Sequence, residues 1–169
     1  DSGAIGELHD MEVRVTVYMP WHLWTFLENA PRVEIVYHSV HYIDLIRSLI
    51  GEPRGVYCRG ARHPSLDGYP DVRTSIILDY GDELRCSLTM NHTHDFGLRF
   101  AMSQLKVEGT RGAAIAKMGV NLNYPHGEPD ELLLATHDAD WMTVPLRGSW
   151  FLEAFEGPMS NLQRVAAGE

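Results

Sequence analysis

Hairpin signals constrain this chain more than any other feature. Apolar and polar residues alternate over residues 72–80 and again over 83–94, and Gly81-Asp82 joins the two segments. Alternation with a period of two is typical of half-buried strands, and a short Gly-containing joint favours a tight antiparallel connection. The pattern excludes an all-helical fold and predicts an antiparallel sheet.

Further strands and two helices complete the predicted fold. A long helix is predicted over 31–50, where Gly51 and Pro53 stop it, and a closing helix over 150–167, interrupted or bent at Gly157-Pro158. The fold class is therefore α+β, a largely antiparallel open β-sheet with helices packed on one face. The additional strand segments are 12–18, 54–62, 99–108, 113–118, 132–136 and 141–144.

Size and charge narrow the class of protein. A chain of 169 residues predicts a single domain over 1–169. Its net charge of −9, from 14 Lys and Arg against 23 Asp and Glu, argues against nucleic acid or an anionic membrane as partner. Cys58 and Cys86 form no CxxC pair, so the cytoplasm is the simplest expected location. The first and last residues resemble the limits of one domain excised from a longer protein.

The helix over 31–50 carries an unusual polar face. At about 100° per residue, one arc is apolar and includes Val36 and Val40, while the other arc carries two imidazoles, a phenol and two carboxylates. Because histidine suits proton transfer near neutral pH, His41 is the predicted proton carrier. Asp44 is expected to orient an imidazole or cap a neighbour, and Tyr37 to bond a substrate hydroxyl. A plain polar face or a domain interface is the alternative. The polar arc contains Glu34, Tyr37, His38, His41 and Asp44.

The end of the strand over 83–94 supplies two more histidines. Alternation places His92 and His94 at the rim of the apolar stripe, where a cleft would open, and satisfied rim histidines are the alternative. With Glu34, His38 and His41 they resemble a metal-binding set. Their spacing is not specific for zinc, so no metal ligand is assigned.

Aromatic residues precede the long helix. The segment 19–26 is interpreted as a loop or short helical turn, and its Trp21 and Trp24 offer flat faces of the kind that pack against sugars. A hydrophobic plug under the sheet is the equally open alternative. No GxGxxG, P-loop or GxSxG motif occurs in the sequence, so it carries no nucleotide fingerprint or nucleophile elbow.

The stretch 34–53, EIVYHSVHYIDLIRSLIGEP, resembles the C-terminal domain of the Gfo/Idh/MocA oxidoreductase family. That family shows an Asp, a small residue and then His-x-x-Asp-Leu at the start of the first long helix of this domain, closing in Gly-Glu-Pro. His41 occupies the position of the family histidine, and Ser39 that of the small residue. Tyr37 stands where the family has Asp. Weaker similarities cover 4–8, 107–113 and 152–168.

The resemblance implies a two-domain protein in which cofactor and substrate are bound by different domains. Members of the family pair an N-terminal Rossmann domain, which binds NAD or NADP and which this chain lacks, with a C-terminal domain like that of glyceraldehyde-3-phosphate dehydrogenase. Hydride passes between nicotinamide and a carbon of a sugar or polyol, and the histidine matched by His41 shares proton transfer with a lysine of the other domain. We expect His38 to assist His41. The expected substrate contacts are Trp21, Trp24, Glu34, Tyr37, Asp44, His92 and His94.

The same resemblance sets the expected partners. The isolated chain is predicted to be inactive and to bind no NAD or NADP. A homodimer or homotetramer is expected through the sheet, because Ile77, Leu105 and Val107 lie opposite other apolar residues of their strands and both faces are thus partly apolar. A non-catalytic sugar-sensing or scaffolding domain and a histidine-based metal site are the alternatives.

Overall fold

An open eight-stranded sheet organises the computed structural model, which describes residues 3–149 and 153–169. Two α-helices accompany it, α1 (Val40–Ile50) and α2 (Glu156–Ala167), and a π-helical turn, Ile35–Ser39, runs directly into α1. The strands are β1 (Leu8–Thr16), β2 (Gly55–Ala61), β3 (Arg73–Asp79), β4 (Arg85–Asn91), β5 (Met102–Gly109), β6 (Gly112–Lys117), β7 (Glu131–Thr136) and β8 (Ala139–Thr143).

The strand order is β2-β3-β4-β1-β5-β6-β7-β8. Neighbouring strands are antiparallel except β1 and β4, which run parallel at the centre of the sheet with Val13 opposite Leu88. The connection from β1 to β2 carries the π turn and α1, as a crossover between non-adjacent strands requires. The predicted α+β fold with a largely antiparallel open sheet is confirmed.

Several predicted element boundaries shift in the structure: β1 spans Leu8–Thr16 instead of 12–18, β5 begins at Met102 instead of 99, and the helix predicted from 31 begins with the π turn at Ile35. Two further differences concern β4 and the closing helix. β4 ends at Asn91 and not at residue 94, so His92 and His94 lie just beyond the strand. The closing helix is not bent at Gly157-Pro158, because α2 begins at Glu156 and this pair lies in its first turn, where a missing proline N–H costs no helical bond. Residues 150–152 of that predicted helix lie outside the described residues.

The main core lies between α1 and one face of the sheet. Tyr42 and Ile46 of α1 are buried against Val13, Ile76 and Leu88 from three adjacent strands. Fully burying such side chains stabilises a fold by about 1.5–3 kcal/mol each. Among the described residues of α2, none is buried.

A second apolar cluster supports the chain just before the π turn. Trp21, Leu27, Val33, Tyr69 and Val72 are all buried there. The aromatic segment forms two short 3-10 turns, Trp21–Leu23 and Thr25–Leu27, as the prediction of a loop or short helical turn allowed. This cluster holds the beginning of the helix against the end of β4.

The opposite face of the sheet is open. Tyr57 and Ile77 lie opposite each other on β2 and β3 and are 65% and 53% exposed. Toward the centre, Arg85 pairs with Asp10, and Lys106 Nζ is 3.5 Å from Asp10 Oδ2. Leu105, by contrast, is buried in the main core. Among the described residues, no helix is both long and apolar enough to span a membrane.

Candidate functional site

Three titratable side chains meet where the helix begins and β4 ends. Glu34 immediately precedes the π turn, His38 lies within it, and His92 follows the last residue of β4. The Glu34 side chain is fully buried, that of His92 is 4% exposed and that of His38 is 14% exposed. We call these three residues the carboxylate–imidazole cluster.

The two oxygens of the Glu34 carboxylate have different surroundings. Oε2 lies 2.7 Å from Nδ1 of His92 and 3.4 Å from Nδ1 of His38. The two imidazole rings are stacked, with centroids 4.0 Å apart and planes inclined by 15°. Oε1 accepts a hydrogen bond of 3.1 Å from Ser39 Oγ, which is also 3.3 Å from Thr74 Oγ1 of β3. The hydroxyl of Ser39 thus holds Oε1, while Oε2 faces the two imidazole nitrogens.

The π turn explains why Glu34 is buried. Sequence periodicity placed Glu34 on a polar arc with Val36 and Val40 on the apolar one, and this assignment is wrong. Val36 is 55% exposed and Val40 is 42% exposed, whereas Glu34 has no exposed surface. A π turn adds one residue to a helical turn, which rotates the preceding residues by about 100° relative to a regular α-helix. That rotation turns Glu34 toward the core.

A neighbouring carboxylate fixes the start of this helix. Asp71, which is buried, accepts a 2.7 Å hydrogen bond through Oδ1 from the backbone N–H of Val33. The first N–H groups of a helix have no partner within the helix, so an acceptor from another segment satisfies one of them. Asp71 therefore anchors the chain at the point from which Glu34 and His38 project.

Electrostatics favour a charged Glu34 carboxylate beside an uncharged His92. Burial alone would raise the pKa of Glu34, but the polar contacts from His38 and His92 outweigh it and lower this pKa to about 2. Burial lowers the pKa of His92 against the opposing influence of Glu34. At neutral pH the cluster therefore holds a carboxylate next to an uncharged His92.

The two tryptophans differ in burial and in the side chains they contact. Trp21 is buried, its Nε1 donates a 2.9 Å hydrogen bond to the carbonyl of His92, and its ring lies edge-on to His38 at 6.0 Å. It thus forms the hydrophobic plug that the sequence left open and also holds His92 in place. Trp24 is only half-buried and lies edge-on to Tyr124 at 6.4 Å.

The remaining helix candidates face solvent. His41 and Asp44 are exposed, and Tyr37 is 44% exposed. Asp44 Oδ1 lies 3.8 Å from Nη1 of Arg47, so the partner it has in the structure is a guanidinium and not an imidazole. The polar face predicted from the sequence is therefore split between a buried cluster and an exposed side of the helix.

His94 lies outside the carboxylate–imidazole cluster. It lines a cavity of about 240 Å³ together with Tyr18, Asn121 and Tyr124. Its ring lies edge-on to Phe96 at 5.8 Å, and its Nε2 is buried without a hydrogen-bond partner among the described residues. His92 and His94 are thus close in sequence, but His92 contacts Glu34 while His94 lines the cavity.

Sequence reasoning missed several polar residues of this region. Ser39 holds Glu34 and is itself contacted by Thr74, and no local pattern links residues 34, 39 and 74. Asn121 donates hydrogen bonds of 3.1 Å to Tyr42 Oη and 3.0 Å to Ser103 Oγ. Tyr124, which lines the cavity beside His94, lies between β6 and β7. A Tyr-Pro pair in a loop after a strand is the one signal that could have suggested a ligand-facing aromatic residue.

The sheet and its buried polar cluster define an α+β domain of the kind found in two-domain oxidoreductases. Residues 1–115 match the family model described as the GFO/IDH/MocA C-terminal domain. The chain therefore belongs to this family, as the helix motif predicted. No curated protein matches the sequence.

Solved structures share the fold at low sequence identity. An oxidoreductase from Agrobacterium radiobacter in complex with NAD+, L-tartaric acid and magnesium matches with 18% identity and a TM-score of 0.66, over 88% of this chain and 42% of that one. An oxidoreductase from Bacillus cereus matches with 20% identity and a TM-score of 0.56, over 85% and 44%. Levoglucosan dehydrogenase in complex with NADH and levoglucosan matches with 17% identity and a TM-score of 0.60, over 85% and 41%. This chain thus spans less than half the length of each.

Proposed function

We propose that this chain is the substrate-binding and oligomerisation domain of an NAD(P)-dependent dehydrogenase that oxidises or reduces a sugar or polyol by hydride transfer. Family membership supports the oxidoreductase class. The substrate class is supported by two neighbours, whose structures contain levoglucosan and L-tartaric acid, both small hydroxylated molecules. An N-terminal Rossmann domain, absent from this chain, is the partner that binds NAD or NADP, whose nicotinamide ring accepts the hydride in the oxidative direction and donates it in the reductive one.

The exposure of His41 carries the proposal for the site. His41 lies on the first turn of α1, within residues 1–115 that match the family model, and its side chain is exposed. It is therefore accessible to a substrate or to another domain at this face of the helix. In the oxidative direction the substrate carbon loses a hydride, and His41 takes the proton of the hydroxyl group, so that a carbonyl group forms. Imidazole is suited to this because it gains and loses protons near neutral pH.

The other candidates take supporting roles in the proposal. His38, one turn before the exposed face, assists His41 from the buried side together with Glu34 and His92. Tyr37 and Asp44 offer polar atoms to substrate hydroxyls beside His41. His94 lines the neighbouring cavity with Tyr124, and Trp24 packs edge-on against Tyr124 and against Trp21. The residues proposed to contact substrate are Trp21, Trp24, Glu34, Tyr37, Asp44, His92 and His94.

The open face of the sheet is the proposed surface for a homodimer or homotetramer. The exposed Tyr57 and Ile77 supply apolar area, and paired charges lie beside them. Solvated antiparallel sheets present mainly polar residues on the outer face, so exposed apolar side chains there favour a second subunit. The expectation of a cytoplasmic location stays a prediction that rests on two cysteines, both of which are free in the structure.

Activity assays test the proposal. The 169-residue chain and a longer protein that includes the preceding nucleotide-binding domain are assayed by NAD(P)H absorbance over a panel of sugars and polyols, with NAD and NADP compared. We expect turnover by the longer protein and none by the chain alone. His41→Gln in the longer protein should lower kcat by about 100-fold or more, because positioned general acid–base groups contribute factors of about 10²–10⁴.

The control is His137→Gln, an exposed histidine between β7 and β8, which should leave turnover unchanged. Turnover by the chain alone would contradict the two-domain proposal, and an unchanged kcat in His41→Gln would contradict the proton-transfer role. If the longer protein folds and binds NAD and a sugar but shows no turnover, the result would favour the sugar-sensing or scaffolding alternative. Tyr37 at the family Asp position would then be the expected reason.

A further inference from the structure

We propose that Glu34, His38 and His92 bind a divalent transition-metal ion, with Zn²⁺ the best fit. The three residues form a group whose possible ligand atoms all lie within 4.8 Å of one another. The metal proposal goes beyond the proposed dehydrogenase activity, which uses the same three side chains, and zinc binding is measurable without turnover. It differs from the five-residue set suggested by the sequence, because His41 is exposed and His94 lines a separate cavity.

Three buried atoms without hydrogen bonds point at the same space. Glu34 Oε2, His38 Nδ1 and His92 Nδ1 are each shielded from solvent, and none has a hydrogen-bond partner among the described residues. The 2.7 Å approach of His92 Nδ1 to Glu34 Oε2 is an electrostatic contact that favours the charged carboxylate, yet it lacks hydrogen-bond alignment. Buried polar atoms are rarely left in this state, because each costs free energy comparable to a lost hydrogen bond. A cation between them satisfies all three.

The ligand set and spacing suit zinc. Imidazole nitrogen and carboxylate oxygen bind Zn²⁺ at about 2.0–2.2 Å in a tetrahedral arrangement, which places ligand atoms roughly 3.3 Å apart. The observed separations from Oε2 are 2.7 and 3.4 Å. Because the two rings are stacked with their planes inclined by 15°, binding the ion requires a small widening at His92 and a rotation of the rings that turns both Nδ1 atoms toward it. The same set of two histidines and one glutamate leaves a fourth position for water or another ligand.

The surroundings resemble the outer shell of a metal site. The second carboxylate oxygen of Glu34 is held by Ser39, which also contacts Thr74, so the carboxylate is oriented with Oε2 toward the rings. Trp21 fixes the backbone of His92 through its indole N–H. Outer partners of this kind fix metal ligands in position. His38 is the member that is partly exposed, and it offers the ion a path from solvent.

The charges also fit a divalent cation. Glu34 supplies one buried negative charge, and no Lys or Arg is paired with it among the described residues. The imidazoles can each present a nitrogen lone pair to a metal, provided that the proton sits on the other ring nitrogen. A bound Zn²⁺ therefore neutralises the carboxylate and leaves the site with a net positive charge open to an anionic or water ligand.

Zinc binding by the 169-residue chain tests the proposal. Protein stripped with a chelator is dialysed against ZnCl2 at known free concentrations, and its metal content is measured by elemental analysis. We expect one zinc per chain, and X-ray absorption should show nitrogen and oxygen ligands at about 2.0–2.2 Å. Glu34→Gln and His38→Gln should each weaken binding by more than about 100-fold, because loss of even an outer partner costs 10–100-fold.

The controls separate this site from adventitious binding by the nine histidines of the chain. His41→Gln removes an exposed histidine three residues from His38 and should bind zinc as the parent chain does. His38→Gln changes a partly exposed side chain, so it remains informative if Glu34→Gln fails to fold, which circular dichroism shows. Absence of stoichiometric zinc, or equal affinity in His38→Gln and the parent chain, would overturn the proposal.

Discussion

Replacing Glu34 by Gln tests the energetic role of the buried carboxylate in the metal-free chain. The pKa of Glu34 is about 2 in the folded protein, against an ordinary value of 4.5 for a glutamate side chain. Each unit of difference corresponds to about 1.4 kcal/mol, so the ionised carboxylate stabilises the fold by about 3 kcal/mol at pH 7. Gln cannot ionise, and Glu34→Gln should therefore lower the free energy of unfolding by about that amount. Stabilities of about 5–15 kcal/mol are usual, so the variant should still fold.

The effect should depend on pH with a definite sign. Because the folded pKa lies below the unfolded one, the contribution is fully present above about pH 4.5 and is lost as the pH falls toward 2. The difference between the parent chain and Glu34→Gln should shrink from about 3 kcal/mol at pH 7 to about 1 kcal/mol at pH 3. Urea unfolding at both pH values, with a chelator and constant ionic strength, measures it.

The matched control is Glu52→Gln, which alters an exposed carboxylate paired with Arg47. Exposed ion pairs contribute little to stability, so this variant should unfold close to the parent chain at both pH values. A Glu34→Gln variant as stable as the parent at pH 7 would show that the two histidines do not stabilise the carboxylate. A deficit of equal size at pH 3 and pH 7 would assign the loss to packing and refute the electrostatic argument.

Two further predictions concern the backbone and are checked by urea midpoints. Gly119→Ala should destabilise the chain by about 1–3 kcal/mol, because a Cβ there meets the carbonyl oxygen of Glu128, whereas Gly157→Ala, with open space in the first turn of α2, should stabilise it by about 0.5–1 kcal/mol. Equal effects of the two would contradict the steric reasoning. Asp71→Ala should cost about 1 kcal/mol by removing the acceptor for the Val33 N–H. Asp71→Asn keeps an acceptor oxygen and should cost less, and the opposite order would argue against this hydrogen bond.

The strands and the end of the helix could be predicted because their signals are local. Alternation along β3 and β4 shows which side chains share a face, and Gly51 with φ of 84° ends α1 where the sequence indicated. The family resemblance rested on the same helix and was confirmed by a match over residues 1–115. These signals report pairing only across the Gly81-Asp82 turn, where β3 and β4 are antiparallel as predicted, so the central parallel pair β1–β4 was not predicted.

The candidate site was only partly predictable. Each member of the carboxylate–imidazole cluster was identified from residue type, but Glu34 was placed on the wrong side of the helix, and Ser39 and Thr74 were not identified as its partners. Regular periodicity assumes about 3.6 residues per turn, and the π turn violates that assumption over a single turn. The exposed position of His41 follows the predicted polar face more closely, since α1 itself is regular.

The amino-acid sequence by itself determined the strand segments, the helix that ends at Gly51 and the residue types available for chemistry, because these depend on neighbours along the chain. Only the tertiary structure decided which of those residues meet. His92 reaches Glu34 because β4 ends beside the helix, and Glu34 turns inward because the π turn rotates it toward Ser39 and Thr74. Contacts between distant segments stabilise such a turn, and these contacts cannot be predicted from local sequence preferences.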